Sequence, residues 1–129
     1  METMDMIILI LQIGVSSVFL YFGMLKVVWP IEKIAKKVTW AFDHSLKRIR
    51  LFGVIEVIGA LGLLLPYRLD ILPILTPMAA TGLAMMMAGA GAVHLRRDEL
   101  KMILLNIFIM FLLAGIGFHT LLDIFNVEM

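Results

Sequence analysis

Apolar residues along this chain gather into four long runs, Met6–Trp29, Ile49–Pro66, Ile71–Val93 and Met102–Leu122, and short stretches between them hold most of the charge. About 20 consecutive apolar residues cross the hydrocarbon core of a bilayer. The first, third and fourth runs reach that length. The second has 18 residues, so it is expected to stand nearly upright or to lie where the bilayer is thin. None alternates with period two, which argues against barrel strands, and a helix satisfies its own backbone in lipid. The pattern predicts an all-α, polytopic membrane protein. A single domain over residues 1–129 would form an antiparallel four-helix transmembrane bundle.

Charge divides the connections by side. The first holds Lys33, Lys36, Lys37, Lys47 and Arg48, with Lys26 and Arg50 at its borders; the third holds Arg96, Arg97 and Lys101; the second holds only Arg68. Ten of the eleven Lys and Arg residues therefore fall on one side. By the positive-inside rule that side is cytoplasmic and both termini lie outside, as for a multi-pass protein of the cell's inner membrane. Trp29 and Trp40 are then expected at the cytoplasmic interface. The opening METMD carries no Lys or Arg, so the first run is read as a retained span rather than a signal peptide. In the first connection, Ile31, Ile34, Ala35, Val38 and Phe42 recur at helical spacing opposite Lys33, Lys36 and Lys37. After Pro30, which suits a helix start, this predicts a short amphipathic interfacial helix on the anionic lipid surface. A docking surface for a soluble partner is the alternative.

Small residues mark close helix approach in membranes. The third run carries Ala80, Ala84, Ala88 and Ala92 at four-residue spacing, and the second carries Gly53, Gly59 and Gly62. These predict tight packing of spans two and three, with Ala84, Ala88 and Gly59 in contact. The alanine seam would serve equally at a homo-oligomer interface. Pro73 and Pro77 are placed in the first turns of span three, where a missing N–H is tolerated.

Polar residues inside the runs carry the candidate chemistry. Glu56 interrupts LFGVIEVIGALGLLL roughly 10 Å inside span two. A carboxylate at such depth is costly and usually faces a partner in the bundle. Lys26 lies roughly 6 Å inside span one, Asn106 roughly 7 Å inside span four, and His94 at the matching end of span three. All four spans thus deliver one polar residue to one layer. Each has a plainer reading. Lys26 can snorkel to headgroups, His94 can be an interfacial residue beside Arg96 and Arg97, and Asn106 can bond a neighbouring helix. For Glu56 the plainer reading is a structural ion pair with Lys26, and such pairs are poor stability devices. A site for a ligand or a proton relay competes with it. Gln12, Ser16 and Ser17 are assigned to packing in span one.

Composition narrows the chemistry. The chain is 62% hydrophobic with a mean hydropathy of +1.03 and a net charge of +1. It has no basic tail for nucleic acid. It has no Cys, which excludes disulfides, thiol catalysis and Cys-ligated clusters within the chain. The three histidines offer no metal-ligand spacing, and His94 and His119 fall at opposite membrane faces, so neither metal nor bis-His haem is expected. No Walker loop, nucleophile motif or other complete catalytic motif is present.

Three segments, Gly23-Met24-Leu25-Lys26, Arg50 through Pro66 (RLFGVIEVIGALGLLLP) and Met87 through Glu99 (MAGAGAVHLRRDE), resemble the DoxX-like family, in order and over nearly the whole chain. The resemblance implies a small four-helix membrane bundle. It further implies an accessory subunit of a membrane oxidoreductase system, with quinone as the cofactor to consider and an oxidoreductase or other membrane subunit as partner. Relatives also act in assembly of other membrane proteins. The resemblance maps no catalytic residue set onto this chain. A small proton-coupled transporter is the remaining alternative; its one membrane carboxylate fits, while the one-sided charge opposes insertion in both orientations.

Overall fold

The computed structural model describes residues 3–125, and all their regular structure is helical. Four long helices, α1 (Thr3–Val28), α3 (Leu46–Leu69), α4 (Leu75–Arg96) and α5 (Leu100–Ile124), are each long and apolar enough to cross a membrane. They run antiparallel in sequence. The connections α1–α3 and α4–α5 share a basic end, and the α3–α4 turn lies at the opposite, terminal end. Between α1 and α3 lie a one-turn helix, α2 (Ile31–Ile34), and a 3₁₀ turn at Ala41–Asp43.

Helix α3 has 24 residues, not the 18 of its apolar run. At its start, Ser45 Oγ accepts from the Arg48 N–H, so Lys47, Arg48 and Arg50 become helical despite their charge. At its end the helix continues through Pro66. Proline removes the donor for the Gly62 carbonyl. Thr76 from α4 replaces it: its hydroxyl donates to Gly62 O at 2.9 Å and accepts from Tyr67 N at 3.2 Å. Gln12 Nε2 of α1 supplies the next carbonyl, Leu63 O, at 2.9 Å. The helix spans about 36 Å, with its apolar part bounded by Arg50 and Arg68.

Helix α4 starts at Leu75, later than the apolar run implies, because Asp70 (φ 55°) and Leu72 (φ 48°) turn the chain through left-handed conformations. Pro73 therefore belongs to this turn and not to the first helical turn, whereas Pro77 lies within the helix.

The amphipathic segment after Pro30 forms a helix of one turn, α2, and its apolar face packs against the bundle's own end. Ile34, Val38 and Ala41 are buried together with Leu25 and Ile49, closing the basic end of the bundle. Phe42 points outward. Helical periodicity records that one face is apolar; it does not record whether lipid or the protein's own bundle covers that face.

The closest helix approach is also not the expected one. Gly23 of α1 and Gly53 of α3 meet backbone to backbone: a Cβ added at Gly53 would lie 2.7 Å from Gly23 O and 2.8 Å from Lys26 Cβ. Spans two and three do meet, at Gly59 against Leu83 and at Gly62 against Ala79. The alanine seam divides. Ala80 is buried with Gly117 of α5 beside it and Ala84 is half-buried, but Ala88 and Ala92 are exposed. A four-residue step overshoots one helical turn by about 40°, so the stripe rotates by about 120° from Ala80 to Ala92. It leaves the interface as it climbs.

Candidate functional site

The glycine contact between α1 and α3 sets the geometry of the polar layer. It lies one turn from Lys26 on α1 and one turn from Glu56 on α3, and holds their backbones close enough for the side chains to pair. Lys26 Nζ donates to Glu56 Oε1 in a salt bridge, with both residues buried. The Lys26 ammonium also lies 5.5 Å from the centre of the Trp40 ring, a cation–π distance. Glu56 Oε2 has no hydrogen-bond partner among the described residues and is closed to solvent. Nearby, Arg50 donates to the carbonyls of Lys26 (2.9 Å) and Trp29 (2.7 Å), so a cation caps the C-terminal end of α1.

His94 and Asn106 reach the same place from α4 and α5. Asn106 Nδ2 donates to the Met87 carbonyl at 3.4 Å, a contact that fixes which end of the amide carries the nitrogen, and Oδ1 has no protein partner among the described residues. His94 is placed by the end of its helix. Asp98 adopts a left-handed conformation (φ 57°), and the Glu99 N–H returns to His94 O at 2.9 Å, the long bond of a Schellman turn. This folds Glu99 back over the last turn of α4, where its Oε1 lies 2.9 Å from His94 Nδ1. The same oxygen accepts from Thr39 at 3.1 Å and pairs with Arg97 Nε at 3.3 Å. The hydrogen bond from His94 and then that from Thr39 hold the Glu99 carboxyl below the ordinary carboxylate range. Arg97 in turn pairs with Asp43. The 37–44 segment is thereby tied to the α4–α5 turn at two points.

These residues surround a cavity of about 410 Å³ at the basic end, a size that holds a small organic ligand. Lys26, Glu56, His94 and Asn106 all line it, among walls that are mostly apolar. All four residues predicted for the layer are brought to one site. The strap contributes Thr39, Trp40 and His44, and the Trp40, His44 and Phe52 rings stack edge to face with centroids 5.1–6.1 Å apart. Sequence reasoning missed Thr39, Trp40, His44 and Glu99 as members. Only the MAGAGAVHLRRDE segment carried a signal, by placing Glu99 five residues after His94.

A second polar network stands at the terminal end. Arg68 Nε donates to Gln12 Oε1 at 2.9 Å and Arg68 Nη1 lies 3.2 Å from Asp5 Oδ2, while Tyr67 donates to Asp123 at 2.7 Å. His119 borders the depression beside them, far from the polar layer in the chain's fold. Between the two networks the bundle centre is packed with Val15, Phe19, Leu63, Leu83, Leu113 and Ile116.

No curated protein and no solved structure matches the chain. The model of the DoxX-like family matches residues 10–116, which hold α3, α4, most of α1 and α5 and the polar layer, and the chain belongs to that family of membrane proteins.

Proposed function

We propose that this protein is an accessory subunit of a membrane oxidoreductase system, and that the cavity at its basic end takes the head group of a quinone. The positive-inside rule orients that end toward the cytoplasm of an inner membrane, with both termini outside. The observation that carries the reading is convergence. Four helices each give one polar side chain, Lys26, Glu56, His94 or Asn106, to a single cavity of about 410 Å³ whose other walls are apolar. That combination suits a flat ring with polar oxygens on its edge and a hydrocarbon tail. Trp40 and Phe52 provide ring faces at its border. The protein's own groups bind and orient; the chain carries no residue set for electron transfer, which falls to a partner subunit.

The transporter reading is weaker, because the packed layer from Val15 to Ile116 separates the two polar networks. Purification in mild detergent with mass spectrometry of bound small molecules tests the proposal. A bound quinone, lost in Glu56→Gln, is the expected result. Proton-coupled uptake in proteoliposomes without bound quinone would favour the transporter. A copurifying membrane protein with no small molecule would favour an assembly factor.

A further inference from the structure

The hydrogen-bond polarity of the cavity discriminates between two forms of a ring head group. Glu99 is charged and can only accept, so the proton of a neutral His94 ring sits on Nδ1. Nε2 is then left as an acceptor. It has no protein partner among the described residues, and it is not one of the atoms sealed from solvent. Asn106 Oδ1 is in the same state, because its amide nitrogen is turned to the Met87 carbonyl. Two open acceptors thus stand on α4 and α5 in a largely apolar cavity. Donors also line it: Lys26 is engaged with Glu56 and Thr39 with Glu99, while Lys37, Trp40 and His44 lie on the 37–44 segment, away from these two acceptors on α4 and α5.

Resting on the reading of this cavity as a head-group site, we propose that Glu99 fixes His94 so that Nε2, with Asn106 Oδ1, accepts from a ligand hydroxyl, and that the site therefore selects the reduced, hydroxyl-bearing form of a ring head group over its oxidised, carbonyl-bearing form. A hydroquinone hydroxyl donates its one proton to one of these acceptors, and its oxygen can still accept from Lys26. A quinone oxygen only accepts, and would leave Nε2 and Oδ1 desolvated without a partner. A site built to bond a hydroxyl rejects the analogue lacking it for this reason. Glu99 is a positioning residue: it does not line the cavity, and it acts through His94, which does.

Trp40 lines the cavity and supplies the readout. In a Trp29→Phe background Trp40 is the sole tryptophan, and its quenching reports binding of a short-chain benzoquinone or of its hydroquinone. The titrations are run anaerobically, at one pH for every variant. The expected result is hydroquinone bound about fivefold or more tightly than quinone. His94→Ala and Glu99→Ala should bring the ratio close to one. Glu99 lies outside the long helices, so its variant keeps the bundle if the His94 variant does not fold. Arg97→Gln removes another contact of Glu99 from outside the cavity lining and should leave the ratio unchanged. Equal binding of the two forms, or tighter quinone, would overturn the inference and leave the quinone-site reading standing. A ratio lost equally in Arg97→Gln would overturn the positioning role of Glu99. Binding of neither form would overturn both.

Discussion

Breaking the Lys26–Glu56 pair should be asymmetric. Removing one partner of a buried ion pair generally costs about 3–5 kcal/mol, because a charge is stranded. Both side chains here are nearly inaccessible, at 8% and 4% exposure. Their exits differ. In Glu56→Gln the ammonium remains near the end of α1, beside the Trp40 ring at 5.5 Å, which offers about 0.5–2 kcal/mol of cation–π attraction. In Lys26→Met the carboxylate remains deeper, with Oε2 already unpartnered and Oε1 newly so. We expect Glu56→Gln to cost about 1–3 kcal/mol and Lys26→Met about 3–5 kcal/mol. Lys26→Met/Glu56→Gln should cost less than the sum by about 2 kcal/mol, since no charge is left buried. Equilibrium unfolding of the four proteins in mixed detergent–denaturant micelles measures this cycle. Single variants each within about 0.5 kcal/mol of the parent and strictly additive would refute the reasoning.

Three further outcomes follow from particular contacts. Thr76→Val should cost about 1–3 kcal/mol by orphaning Gly62 O and Tyr67 N. In a Pro66→Ala background, which restores the helix donor, the loss measured by the same unfolding assay should fall by about half; an unchanged loss would mean that Thr76 does not carry α3 through the proline. Gly53→Val should destabilise strongly, since its Cβ would strike backbone at 2.7 Å, whereas Ala88→Leu, on an exposed face, should shift the melting temperature in detergent little. The Glu99 latch should depend on pH with a definite sign. Its carboxyl is depressed by the His94 and Thr39 hydrogen bonds from an ordinary value of 4.5, so its contribution is present above that pH and is lost as pH falls through the folded value. The thermal-stability difference between the parent and Glu99→Gln should persist from neutrality down to about 4.5 and be lost as the pH falls further; a difference that fades around neutrality would contradict the assignment.

The bundle was legible because lipid makes each span declare itself by length and apolarity, and the polar layer because Glu56, Lys26, His94 and Asn106 interrupt the spans at matched depth. What the pattern could not show depended on partners distant in sequence. Pro66 reads as a helix end until Thr76 and Gln12 take over its orphaned carbonyls. Ile34 and Val38 read as a lipid-facing stripe until the bundle end covers them. The alanine seam reads as an interface because regular spacing conceals the rotation that turns Ala88 and Ala92 outward. Glu99 sits among loop charges and gains its place only when Asp98 turns left-handed and folds it back onto His94. Gly23 looks unremarkable in its own segment, and its importance appears only opposite Gly53.

Photolabelling with an azido-substituted quinone in native membranes tests most directly whether the cavity at the basic end is a head-group site. The account predicts labelled peptides from Trp40, from the α4 segment ending at His94 and from the α5 turn around Asn106, with competition by unmodified quinone and loss of label in Glu56→Gln. Label spread along the exposed faces of α1 and α5, such as Ile10 and Phe111, and insensitive to both competitor and substitution, would contradict it.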